Sequence, residues 1–158
     1  MVYFLRFVLS FVVVALTAAV SSYLSYLGVN TFYGNLVLPP LNPPKEVFRY
    51  VWPVLYVLMI VSFFLILNEK NIQRAIWLFL YQIALHILWC YLFFAKGLFL
   101  LGFLCLILLI LTVLIMLREF YKLSPVAAYL QYPYLLWLLF AAYLNAGVWY
   151  LNGASIAN

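Results

Sequence analysis

Polar side chains are so scarce in this sequence that those able to do chemistry stand out at once. The stretch Tyr81-Gln82-Ile83-Ala84-Leu85-His86-Ile87-Leu88-Trp89-Cys90 sets Gln82, His86 and Trp89 four and three residues apart. That spacing puts them on one helical face, which Phe93 continues. Trp137, Ala141 and Asn145 follow one another at steps of four, with Tyr134 just before them, and Trp52 and Tyr56 are again four apart. Three segments thus each carry a stripe mixing an aromatic ring with a small or hydrogen-bonding residue. Such a stripe either hydrogen-bonds to a neighbouring helix or faces an aromatic cavity for a flat ligand. The spacing alone leaves both readings open.

Other chemistries are excluded by residue type. The sequence offers no nucleophile–base pair, no paired carboxylates and no phosphate-binding glycine loop. Glu46, Glu69 and Glu119 are the only carboxylates in its side chains, and they lie at the ends of apolar runs, where they read as anchors. Proton-coupled transport ordinarily needs one in mid-membrane. His86 has only Cys90 as an obvious metal-binding companion, so no metal site is read, and no cofactor. Cys90 and Cys105 sit inside apolar runs, where thiols are usually inert.

The elements that must position these stripes follow from composition. Of 158 residues, 71% are hydrophobic, 21% aromatic and only 7% charged. Soluble domains carry about 25% charged residues, so this chain lacks a water-soluble surface and is read as dissolving in lipid. Charge clusters leave uncharged runs at 7–44, 50–68, 75–95, 97–117 and 123–158. A hydrocarbon core about 30 Å thick takes roughly 20 helical residues. The runs therefore predict an all-α membrane protein, a bundle of five transmembrane helices forming one domain over 1–158. The spans are placed at about 7–27, 47–68, 75–95, 98–117 and 132–151. Runs such as Leu104 to Leu111 do not alternate, which excludes a β-barrel.

Arg6, Lys70, Arg74, Arg118 and Lys122 then share one side, and Lys45, Arg49 and Lys96 the other, which favours a cytoplasmic N-terminus. The net charge of +5 reads as topology and contact with anionic lipid, and no basic stripe points to nucleic acid. The first span is too long for a signal core and is read as a retained helix. Its Ala15, Ala18, Ser22 and Ser25 trace one face for close helix packing. Gly28-Val29-Asn30-Thr31 reads as a polar turn opening a loop over 28–46 that holds four of the seven prolines. Proline fixes φ and extends the residue before it, so the loop is stiff. It is also apolar, as either a rigid connector or a cover folded over the bundle mouth.

Three blocks carry a resemblance. They are Phe32-Tyr33…Leu38-Pro39-Pro40-Leu41-Asn42-Pro43-Pro44…Trp52…Tyr56, then Gln82…His86…Trp89…Phe93, then Ser124-Pro125…Tyr132-Pro133-Tyr134…Trp137…Ala141…Asn145. In this order they resemble the tryptophan-rich sensory protein family, also called the translocator protein or peripheral-type benzodiazepine receptor family. The resemblance covers roughly residues 30–152. It implies a five-helix bundle, usually a homodimer, with a pocket near the end covered by the first loop. Relatives bind protoporphyrin IX, haem and isoquinoline carboxamides, and animal members bind cholesterol. By position, Tyr33, Trp52, Tyr56, His86, Trp89, Phe93, Trp137, Ala141 and Asn145 would line or border that pocket, with Gln82 added by its stripe.

Two departures bear on the site. The usual Trp-Tyr of the first loop is Phe32-Tyr33, and the usual asparagine of the third helix is His86, an imidazole within conceivable reach of a haem iron. No basic residue follows Tyr150, which lowers the expectation of cholesterol and favours a bacterial membrane. The leading expectation is a receptor or carrier for porphyrin-type ligands, with Lys45 or Arg49 meeting their propionates. The rivals are light- or oxygen-dependent porphyrin breakdown with Trp52 as catalytic electron donor, and a structural partner of other membrane proteins.

Overall fold

The computed structural model describes residues 1–154. It contains six helices: α1 (Val2–Thr31), α2 (Lys45–Leu67), α3 (Gln73–Cys90), α4 (Phe99–Leu123), the short α5 (Pro125–Tyr129) and α6 (Tyr132–Asn152). A π-helical turn, Tyr91–Ala95, extends α3. Five segments are long and apolar enough to cross a membrane, with α3 counted together with its π turn and α5 with α6. Apolar side chains such as Leu104, Leu111 and Leu136 are half exposed or more, as they must be where lipid is the solvent.

α4 is the central helix, packed between α3 and α6, while α1 lies against α2 and the π turn. At the end holding the N-terminus, rings from α2, α3 and α4 close the core. Phe63 stacks on Phe79 at 4.0 Å, and Phe79 on Phe120 at 6.3 Å. The Ser62 hydroxyl donates to the Ala127 carbonyl at 2.8 Å, tying α2 to α5. Arg6 donates to Asn68 Oδ1 at 3.0 Å, which fixes the start of α1 to the end of α2.

Two expectations for α1 are corrected. Gly28-Val29-Asn30-Thr31 is helix, not turn. Asn30 Nδ2 donates to the Tyr26 carbonyl at 2.7 Å and Thr31 Oγ1 to that of Leu27 at 2.9 Å, so their polar atoms are satisfied on the helix itself. Gly28 is a contact glycine: a Cβ there would collide with the Phe94 backbone of the π turn. The packed face of α1 is Ser10, Val14, Thr17, Ser21 and Gly28, whereas Ser22 is exposed and Ala15, Ala18 and Ser25 are only partly covered. The close-packing face therefore sits one residue round from the predicted one.

The proline-rich loop, with a 3₁₀ turn at Tyr33–Asn35, folds back onto α6. Asn152 accepts from the Val37 N–H and donates to the Val37 carbonyl, both at 2.9 Å. Tyr143 donates to the Pro40 carbonyl at 2.6 Å. Pro39 is buried in the notch left by Gly147, where a Cβ would lie 2.5 Å from its ring. Replacing Asn152 by alanine removes both bonds to Val37, which are exposed and hold the loop locally, apart from the cooperative unfolding of the bundle. Hydrogen exchange at the Val37 amide should accelerate while the melting temperature of the bundle stays nearly unchanged. Unaltered exchange would show that Asn152 does not hold the loop.

Candidate functional site

The three polar–aromatic stripes converge. Trp52 of α2 is the hub: its ring lies 5.1 Å from His86, 6.4 Å from Trp89 and 6.3 Å from Trp137, and stacks on Tyr56 at 5.7 Å. These residues come from α2, α3 and α6, and the helical spacing of each stripe is what aims them at one another. Phe48, one turn before Trp52, meets Trp137 at 5.6 Å. The backbones of α2 and α6 hardly approach each other, so the seam between them is made largely of these rings.

A line of hydrogen bonds crosses the cluster. Tyr134 donates its hydroxyl proton to Gln82 Oε1 at 3.1 Å, so at 3.4 Å from His86 Nδ1 it must act as acceptor. The imidazole then carries its proton on Nδ1, and Nε2 accepts from the Tyr56 hydroxyl at 3.2 Å. Cys90 Sγ lies 4.0 Å from the same nitrogen. Among the described residues no group of three His, Cys, Asp or Glu could hold a metal ion. A second polar bridge anchors Trp89, whose indole donates to Asn145 Oδ1 at 3.1 Å while Asn145 Nδ2 donates to the Phe99 carbonyl at 2.9 Å.

Not every predicted residue sits in the hub. Phe93 is buried behind it, 6.3 Å from Trp89 and 5.4 Å from Phe99. Ala141 is buried on the α6 face shared with Asn145. Tyr33 touches Phe94 at 6.1 Å, and Phe94 in turn meets Trp89 at 5.9 Å, which leaves Tyr33 one ring away. Burial pushes the Tyr33 phenol above its ordinary pKa, so it stays a donor. Lys45 and Arg49 are exposed on the first turns of α2. Tyr134 is the member the site expectation lacked: it joins His86 to Gln82 and is only 1% exposed. Its signal was present in the spacing of three to Trp137.

Two buried donors in this region have no partner, Gln82 Nε2 and Trp137 Nε1. In a dry interior an orphaned donor costs about 1–3 kcal/mol, which a ligand acceptor would offset. Together, the fold and this site describe a five-span membrane protein with an aromatic cluster between helices and a proline-rich loop docked on α6.

Comparison with known proteins gives that description a family. The sequence model of the TspO/MBR family matches residues 8–151, and the chain belongs to that family. It is 33% identical over 127 residues to the tryptophan-rich protein TspO of Chlorobaculum tepidum, covering 77% of this chain and 79% of the relative. A protein of the same name from Archaeoglobus fulgidus is 31% identical over 150 residues, covering 94% and 97%. The translocator protein of Ovis aries is 34% identical over 126 residues, covering 77% and 75%. The chain is thus a multi-pass integral membrane protein, and its relatives in bacteria accord with a bacterial membrane.

Proposed function

We propose that this protein is a receptor or carrier for tetrapyrroles such as protoporphyrin IX and haem, held between α2, α3 and α6 beneath the proline-rich loop. The observation that carries the reading is the α2–α6 seam, closed by Phe48, Trp52 and Trp137 instead of by close backbone packing. A flat macrocycle can enter such a seam by replacing ring–ring contacts with its own faces. The orphaned donors of Gln82 and Trp137 give it polar partners, and Lys45 and Arg49 are free to meet propionates. Homodimerisation, which the family resemblance implies, is part of the same proposal. Sterols fit less well, because the cluster mixes imidazole, amide and indole donors.

Purified protein at 100 times the Kd of protoporphyrin IX should gain about 2.7 kcal/mol of stability, read as a rise in melting temperature. An unchanged melting temperature at saturating porphyrin contradicts the proposal. For haem, the Soret band of His86→Asn should match that of wild type, because Nε2 is engaged by the Tyr56 hydroxyl. A displaced Soret maximum in the variant would instead make His86 an iron ligand.

A further inference from the structure

Two ways lead into the proposed site, past the loop end and through the α2–α6 seam, and they are closed by different means. At the loop end, Val37 is tied to Asn152 by two hydrogen bonds, Tyr143 donates to the Pro40 carbonyl, and Pro39 is seated in the Gly147 notch. The seam is held from the opposite end of the bundle, where α2 packs on α5 and Ser62 donates to the Ala127 carbonyl at 2.8 Å. Beyond that point α2 and α6 part, and Phe48 and Trp52 fill the gap against Trp137 at 5.6 and 6.3 Å. Both rings of α2 stand just before Pro53, a proline inside the helix. Proline has no N–H, so the helical bond from residue 53 to the Arg49 carbonyl is missing, and helices bend most readily at such a point. The first two turns of α2 can therefore swing away from α6 while Ser62 keeps the rest of the helix in place.

We infer that the seam is the entrance to the site, opening sideways into the bilayer, and that it admits flat amphiphiles already dissolved in the membrane. The inference rests on the tetrapyrrole reading and narrows it to ligands of that class. Trp52 lies about 10 Å along α2 from Lys45, so its ring stands just inside the hydrocarbon while Lys45 and Arg49 stand at the edge. An amphiphile with carboxylates at the interface and its ring among the acyl chains meets the seam in that same orientation. Phe48, Trp52 and Trp137 are each partly exposed, not sealed in the core. A macrocycle can exchange their mutual contacts for its own faces without crossing water. The Trp137 indole N–H, which has no partner, gains an acceptor as the ring slides in.

Stopped-flow quenching of tryptophan fluorescence by protoporphyrin IX, on the full chain in lipid vesicles, tests this through rates at constant affinity. Pro53→Ala restores the missing helical bond. It should slow association and release together by about tenfold, the equivalent of about 1.4 kcal/mol of added resistance to opening, and leave Kd unchanged. Phe48→Ala removes one ring from the seam and should speed release at least about threefold. Asn152→Ala frees the loop and should leave both rates at wild-type values. Wild-type rates in Pro53→Ala overturn the inference. So does faster exchange in Asn152→Ala, which would put the entrance at the loop end. A change in only one of the two rates in Pro53→Ala also overturns it, because Pro53 would then act on the bound state. Affinity separates these results from failure of the tetrapyrrole reading: a wild type without saturable quenching overturns both.

Discussion

Asn145→Leu should lower the stability of the bundle by about 2–4 kcal/mol, although leucine matches asparagine closely in size. The amide bridges the Trp89 indole N–H and the Phe99 carbonyl, and is itself 1% exposed. A single hydrogen bond between membrane helices averages about 0.6 kcal/mol, which alone would predict a small effect. The larger figure arises because leucine orphans the buried Trp89 donor, at about 1–3 kcal/mol, and also removes the bond to the Phe99 carbonyl, worth about 1 kcal/mol, in an interior without bulk water. Trp89 would also lose its fixed orientation beside Trp52, so porphyrin affinity should fall with stability. Melting or denaturant titration of the variant checks this. A melting temperature equal to wild type would mean that the bridge contributes nothing to the bundle.

Gly28→Val should cost about 3 kcal/mol or more. The α-carbon of residue 28 faces the Phe94 backbone in the π turn, and even a methyl group has no room there. Backbone on both sides cannot rotate away as a side chain would, so α1 must retreat from the end of α3. That movement would also disturb the Tyr33–Phe94 and Phe32–Phe99 contacts that seat the start of the loop. Gly34→Ala is the matched control: nothing lies within 4 Å of its added Cβ, and its effect should stay within about 0.5 kcal/mol. Equal melting temperatures for the two variants would contradict the close approach of α1 to the π turn.

What could be read in the sequence, and what could not, follows from these contacts. Charge positions revealed the five spans, because a lipid interior tolerates so few ionised groups. The stripes on α2, α3 and α6 were legible because polar residues in lipid must face the bundle, and spacing tells which of them share a face. Gly28 misled because glycine signals a turn in water, whereas between membrane helices it marks close approach. The packed face of α1 was misjudged by one residue because hydroxyls such as Thr17, bonded to the Val13 carbonyl, pack as small residues. The loop's seat on α6 was hidden by separation: Val37 and Asn152 are 115 residues apart. The π turn at Tyr91–Ala95 arises in a run without glycine or proline, and no local signal announces it.

The central claim is that Trp52 and Trp137 form the walls of a tetrapyrrole site. Equilibrium titration with protoporphyrin IX, followed by quenching of tryptophan fluorescence, tests it most directly. Wild type should be quenched saturably, and Trp52→Phe combined with Trp137→Phe should bind at least about tenfold more weakly, for the loss of about 1.4 kcal/mol. Each exchange keeps an aromatic ring, so the core should stay filled while an indole face is lost. An affinity equal to wild type in a double variant that melts normally would place the ligand elsewhere and contradict the account.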